Sequence, residues 1–115
     1  IEPFSEEVMN EYRKPYLNPG EDRRPTLDWP RQIPIDREPI EVHEEVKSNL
    51  SFMLENELPK LLIIGNPGRL MKGQLIEFCR TFKNQTEVTV KGNHFLQEES
   101  PKEIAEALNN WLKTI

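Results

Sequence analysis

The chain has 115 residues, of which 36% are hydrophobic and 30% are charged, and its formal net charge is -5. This composition is typical of one globular domain or less and excludes fibrous and membrane-spanning proteins. A single cysteine excludes an internal disulfide and a cysteine zinc site. The acidic balance disfavours nucleic acid as a partner. No apolar run approaches the roughly 20 residues of a membrane span, and no leader opens the chain, so we expect a cytoplasmic protein without a membrane partner.

Prolines divide the chain into two parts. Seven of the ten lie within the first 39 residues, and each removes a backbone donor and disfavours helix in the residue before it. This part therefore has room for one helix, over about residues 6–12, with Ser5 as its N-cap. Apolar residues between 18 and 35, including Trp29 and Ile33, indicate an ordered excursion rather than a linker.

From residue 40 onward, hydrophobic spacing alternates between the helical period and short strand-like runs. Ser100 and Glu103 form a capping box around a proline, which is a strong start signal for the last helix. The predicted elements are a helix over 40–58, a strand over 60–64, a turn over 65–68, a helix over 71–82, a strand over 86–91 and a helix over 101–115.

This order of elements is an α/β pattern whose two strands should lie parallel, joined by a right-handed crossover. A strand as apolar as 60–64 needs layers on both faces and partners on both edges. We therefore expect these residues to be a piece of a larger sheet, in a processed, nicked or truncated chain.

The two histidines have different settings. His43 lies among carboxylates on the polar side of a helix, where a solvated histidine is the common outcome. His94 follows a predicted parallel strand, and reactive groups in open α/β sheets collect at the carboxyl ends of strands. Gly92 permits a sharp exit from that strand. His94 is therefore a candidate general base, with a structural loop histidine as the alternative.

The other candidate motifs favour structural explanations. The segment 65–68 has two glycines but neither phosphate-loop pattern. The carboxylates at 98–99 lack further metal ligands, so no metal is expected. The arginines at 23–24 have acidic neighbours with which to pair. Trp29 is either a packing anchor or a pocket wall.

Five segments carry a resemblance to a known family. They resemble the C-terminal portion of haloalkane dehalogenases, which have the α/β-hydrolase fold, and they are also similar to the related coelenterazine luciferases. The segments are 23–35, 58–62, 66–68, 82–90 and 94–101.

The resemblance implies a domain organisation and a reaction. Residues 1–39 would be the end of a helical cap domain, and 40–115 the C-terminal part of the main domain, with its last two parallel strands and flanking helices. The family hydrolyses haloalkanes to alcohol and halide through an alkyl-enzyme ester and needs no cofactor. The implied partners are a small apolar halogenated substrate and a halide ion. His94 matches the histidine that activates water.

The rest of the family's machinery is not found in this chain. The nucleophilic aspartate, the halide-holding groups and the acid that orients the histidine are absent, and Asn66 stands where one branch of the family has that acid. We therefore expect the isolated chain to be inactive and its partner to be the missing N-terminal half of the fold. The resemblance also implies a substrate pocket, although each of its residues could instead be ordinary core. The implied pocket residues are Trp29, Pro30, Ile33, Leu70 and Phe95.

Four other functions remain open. The chain could belong to a luciferase that oxidises coelenterazine, or to an intermediate with both activities. It could also be a non-catalytic complementation module that folds on a partner. Epoxide hydrolysis on the same fold is less favoured, because the segment from His94 to Glu98 matches dehalogenases better.

Overall fold

The computed structural model describes residues 3–115. Their contacts form two compact units, 3–50 and 51–115. The division lies within a helix, and the cap boundary at residue 39 stays a prediction. The helices and strands are α1 (Glu6–Arg13), α2 (Arg24–Arg31), α3 (Ile40–Glu55), β1 (Lys60–Pro67), α4 (Gln74–Cys79), β2 (Gln85–Gly92), α5 (Leu96–Glu99) and α6 (Pro101–Leu112).

The first unit has more helix than the sequence predicted. Ser5 caps α1 as expected, with its hydroxyl oxygen accepting from the Val8 amide at 3.3 Å. The expectation of a single helix before residue 39 was wrong, since α2 forms between two 3-10 turns and the start of α3. Pro25 occupies the first turn of α2, where its missing N–H has no intrahelical partner to lose. Pro30 lies in the last turn and removes only one bond.

Helix α3 ends at Glu55, three residues before the predicted end. Asn56 accounts for this earlier end, because its side-chain amide donates to the Phe52 carbonyl and its side-chain oxygen accepts from the Leu58 amide at 3.0 Å. Asparagine side chains compete with the helix for backbone groups in this way. The chain therefore turns into β1 before it reaches Pro59.

The two strands pair in parallel, as predicted, with Lys60 opposite Gln85 and Pro67 opposite Gly92. Strand β2 matches the prediction to within one residue at each end. Strand β1 continues to Pro67, so the turn predicted over 65–68 was placed too early. The Gly68 amide donates to the Gly92 carbonyl at 2.9 Å and extends the pairing past the last strand residue.

Lys60 is a charged residue in the buried part of the second unit, with 9% of its surface exposed. Its ammonium donates to the Asn56 carbonyl at 3.0 Å, to the Asn56 side chain at 2.8 Å, to the Leu58 carbonyl at 2.9 Å and to the Lys83 carbonyl at 3.1 Å. These four contacts join the end of α3, the start of β1 and the turn before β2. The buried charge is thus fully hydrogen-bonded.

Helix α4 is shorter than the predicted helix over 71–82. Gly73 precedes it with a φ of 54°, so the chain enters the helix only at Gln74. After the helix, Arg80 donates to Glu77 at 2.6 Å and to both oxygens of Glu87 at 2.7 Å. The hydrogen bonds from Arg80 lower the pKa of the Glu87 carboxyl. In turn, the hydrogen bonds to the Glu87 and Glu77 carboxylates raise the pKa of the Arg80 guanidinium.

The second unit has a small core, and much of its apolar surface is exposed. Ile64, Val90 and Ala107 are buried at the contact of β1, β2 and α6. The predicted inward stripe of α6 is only partly covered, since Leu112 is 50% exposed. None of the helices between residues 3 and 115 combines the length and hydropathy needed to cross a bilayer.

Candidate functional site at the carboxyl ends of the strands

The carboxyl ends of β1 and β2 meet at an edge rich in glycine. A Cβ atom on Gly65 would lie 2.7 Å from a methyl carbon of Leu96 and 2.9 Å from the Gly92 carbonyl oxygen. A Cβ atom on Gly92, where φ is +154°, would lie 2.7 Å from the same Leu96 methyl. Both distances are shorter than van der Waals contact allows. The two glycines therefore let the segment after β2 pack directly against both strand ends.

His94 lies in this segment, two residues after the end of β2. Its side chain is half-buried, and its ring packs on Phe95 with centroids 4.5 Å apart and planes inclined by 56°. Its imidazole makes no hydrogen bond with any residue between 3 and 115. The ring is thus neither sealed in the core nor fixed by an orienting group from this part of the chain. An imidazole in this setting can act as an acid or a base near neutral pH.

The capping box predicted at the start of α6 does not form. The Ser100 hydroxyl makes no capping bond and instead donates to the Lys91 carbonyl. Glu103 accepts from the Lys91 amide at 3.1 Å rather than reaching back to Ser100. Both side chains thus hold the backbone of Lys91, near the end of β2, instead of the helix start. In the same stretch, Glu99 accepts from the Asn93 amide.

Sequence reasoning missed this set of contacts between 99–103 and 91–93. The spacing Ser-x-x-Glu is the same for a helix cap and for a bond to a distant strand, so sequence spacing could not reveal the difference. No signal in the sequence identified Glu99 as a partner of Asn93. The short helix α5, which brings Glu99 back toward the strand, was also not predicted.

The predicted pocket residues lie in both units. Phe95 contacts His94, and Leu70 is exposed in the segment between β1 and α4. Trp29 and Pro30 lie in the last turn of α2, and the Ile33 amide donates to the Pro30 carbonyl at 3.2 Å. Trp29 is 74% exposed. The predicted residues are thus divided between the two units, and their common role in a pocket stays a prediction.

The first unit also contains a hollow of about 360 Å³ that sequence reasoning did not identify. It is lined by Met9, Tyr12, Arg13, Tyr16, Leu17 and Arg23. None of the predicted pocket residues lines it.

The other candidate residues have simple outcomes. His43, on α3, is half-buried rather than fully solvated. In the part of the chain from residue 3 onward, no three His, Cys, Asp or Glu side chains are grouped as metal ligands.

Comparison with known proteins gives a consistent result. The chain is 46% identical over 115 residues to a haloalkane dehalogenase from Sphingobium indicum, a match that covers 100% of this chain and 39% of that protein. It is 34% identical over 106 residues to coelenterazine h 2-monooxygenase from Renilla reniformis, covering 90% of this chain and 34% of that protein. No protein-family model matches the chain.

A solved structure shows the same similarity. The haloalkane dehalogenase DbeA from Bradyrhizobium elkani superimposes with a TM-score of 0.91 at 34% identity, over 99% of this chain and 40% of that chain. Together with the parallel strands, this match defines the chain as part of an α/β-hydrolase fold. Within that class the chain is a homologue of the haloalkane dehalogenases, which confirms the resemblance seen in its sequence. It spans about two fifths of the length of the relatives it matches.

Proposed function

We propose that this chain supplies the histidine and part of the pocket of an enzyme that hydrolyses haloalkanes to an alcohol and a halide ion. In this reaction a carboxylate displaces halide from carbon and forms an alkyl-enzyme ester. His94 then takes a proton from water, which attacks the ester carbonyl and releases the alcohol. The carboxylate nucleophile, the halide-holding groups and the acid that orients His94 would lie outside these 115 residues.

The observation that carries this proposal is the position of His94. In a chain 46% identical to a haloalkane dehalogenase, a half-buried imidazole follows the carboxyl end of a parallel strand. That is the edge at which α/β enzymes bind their substrates. The lack of a hydrogen bond from the imidazole to residues 3–115 fits a base whose orienting acid comes from elsewhere.

The exposed apolar surface supports the proposal that more of the fold is needed. Large apolar side chains are exposed in each unit, among them Leu27 and Trp29 on α2 and Leu108 and Leu112 on α6. Exposed apolar surface of this kind marks faces that pack against another element. Further strands and helices that cover these faces would complete the core. Separately, a cytoplasmic location stays a prediction.

Halide release from a completed enzyme tests the proposal. This chain would be fused after the remaining N-terminal part of the Sphingobium indicum dehalogenase, and bromide release from a bromoalkane would be followed over many turnovers. We expect continuous release from the fusion. His94→Gln should release at most one halide per enzyme and then stop, with at least a roughly 100-fold loss of steady-state turnover.

His43→Gln is the matched control, because it changes the same side chain at a site on α3. It should turn over at the rate of the unmodified fusion. Continuous release by His94→Gln at that same rate would contradict the proposed role. A folded fusion that releases no halide would contradict the proposed activity itself.

A coelenterazine monooxygenase is the second candidate, and the similarity to the Renilla reniformis enzyme supports it. Light emission on addition of coelenterazine to the fused enzyme measures this activity. Light without halide release would favour the monooxygenase, and both signals together would indicate a bifunctional intermediate.

A non-catalytic complementation module is the third candidate. Sedimentation and circular dichroism of the isolated chain test whether it folds without a partner. A cooperative, monomeric species would count against this module and against the need for further strands.

A further inference from the structure

Three side chains from the end of α5 and the start of α6 hold the backbone that leads to His94. The Lys91 carbonyl accepts from Ser100, the Lys91 amide donates to Glu103 at 3.1 Å, and the Asn93 amide donates to Glu99. Glu99 is the one whose partner directly precedes His94. The Asn93 N–H belongs to the peptide unit between Gly92 and Asn93, so the Glu99 carboxylate holds the backbone one peptide unit before the one that enters His94.

The contact between Glu99 and this backbone is close on two sides. Besides accepting from Asn93, one carboxylate oxygen of Glu99 lies 2.7 Å from the position that a Cβ atom on Gly92 would occupy. The carboxylate thus lies against the α-carbon of Gly92 while it accepts from the next residue. A charged acceptor binds an amide more strongly than a neutral one, so this contact fixes the direction in which the chain leaves β2.

Stability alone is a poor explanation for a carboxylate at this place. The second oxygen of Glu99 is buried, and it has no hydrogen-bond partner among residues 3–115. A buried acceptor without a donor costs free energy. The fold of this unit would therefore tolerate a smaller apolar side chain at position 99, whereas the backbone before His94 would lose its acceptor.

We propose that Glu99 is a positioning residue for His94, holding the Asn93 amide so that the imidazole reaches the water that attacks the ester. This role rests on the proposed dehalogenase function. It predicts a selective effect, because only the second chemical step needs the imidazole. Misplacement of a catalytic group by about 1 Å can lower a rate by about 100-fold.

The test uses the fused enzyme described above and compares Glu99→Ala, Glu99→Gln and Gln97→Ala. Hydrogen exchange of the Asn93 amide and the ¹⁵N chemical shifts of the His94 ring report loop order without requiring activity. Rapid-mixing measurements give the first-turnover halide burst and the later steady rate. Gln97 is an exposed neighbour on the same short helix and serves as the matched control.

We expect Glu99→Ala to speed exchange of the Asn93 amide about tenfold, shift the His94 ring resonances and slow the steady rate by about 10- to 100-fold. The burst amplitude should stay unchanged. Glu99→Gln keeps a carbonyl acceptor and should retain a steady rate within about threefold of the unmodified enzyme. Gln97→Ala should match the unmodified enzyme in every measurement.

Unchanged amide exchange and ring shifts in Glu99→Ala would overturn the proposal, whether or not the fusion releases halide. A parallel fall in burst amplitude and steady rate would also overturn it, since that pattern indicates general loss of folded enzyme. Should Glu99→Ala fail to fold, exchange at Asn93 in Glu99→Gln decides the matter, because protection must persist there. A fusion without halide release but with faster exchange in Glu99→Ala would refute the dehalogenase function and leave the loop contact supported.

Discussion

Replacing Lys60 with methionine should lower the free energy of unfolding of the second unit, because the ammonium of Lys60 donates to several oxygen acceptors. The ammonium has four oxygen acceptors at 2.8 to 3.1 Å, three of which are backbone carbonyls. Methionine keeps the apolar stem as far as the ε carbon and removes the ammonium with all its donors. The ammonium has three N–H groups, so at a net 0.5–1 kcal/mol for each the expected loss is about 1.5–3 kcal/mol in the free energy of unfolding.

Urea denaturation of the fused enzyme, followed by circular dichroism, measures this loss. Lys83→Met is the matched control, because Lys83 is exposed and, among residues 3–115, its ammonium donates only to the Glu55 carbonyl, at 3.4 Å. That variant should change stability by no more than about 0.5 kcal/mol. An equal or higher stability for Lys60→Met would show that the cost of burying the ammonium outweighs its hydrogen bonds, and our reasoning would be refuted.

Three further predictions concern local contacts. Gly65→Ala should lower stability by about 1–3 kcal/mol in the same urea assay, since the new methyl group would lie 2.7 Å from Leu96. Ser5→Ala should reduce the helical signal at 222 nm and cost about 1 kcal/mol, because α1 loses its cap. Arg80→Gln should raise the midpoint of the Glu87 carboxyl titration toward 4.5, as followed by NMR, since Arg80 lowers that pKa.

The pH dependence of the Arg80 contact has a definite sign. Because the pKa of Glu87 is lowered from 4.5 in the folded chain, the contact stabilises the fold above that pH and loses this effect as the pH falls through the lowered pKa. Both groups are exposed, so added salt should weaken the effect. An unchanged Glu87 midpoint in Arg80→Gln would contradict the assignment of the pKa shift to Arg80. Unchanged stability in Gly65→Ala would contradict the close contact with Leu96. Unchanged stability in Ser5→Ala would contradict the cap on α1.

The sequence predicted those elements whose cause is local. The apolar run of β1 and the alternation of β2 identified both strands, because short apolar runs and alternating runs are typical of strands. The helix between them indicated parallel pairing. Ser5 was identified as a cap because the amide that it binds lies only three residues further along the chain. The position of His94 at a strand end also followed from chain order alone, since parallel strands place their carboxyl ends at one edge.

Elements whose cause is tertiary were mispredicted. Ser100 and Glu103 had the spacing of a helix cap but bind β2, since the strand offers partners that spacing cannot show. The number of prolines before residue 39 led us to expect no helix where α2 forms. One of these prolines, Pro25, occupies the first turn of α2, where a helix tolerates it. The end of α3 depended on how the Asn56 side chain competes for the backbone. Each error came from a choice between partners that only the folded chain presents.

The glycines at 65 and 92 imply an evolutionary constraint on the residue at 96. One Leu96 methyl fills the room that both missing β-carbons leave, so the three positions share a fixed volume. Homologues that carry alanine at either glycine position should carry a smaller side chain in place of leucine, and such paired changes should be more frequent than either change alone. Covariation among positions 65, 92 and 96 would thus show, from homologous sequences alone, how closely the segment that carries His94 packs against the strand ends.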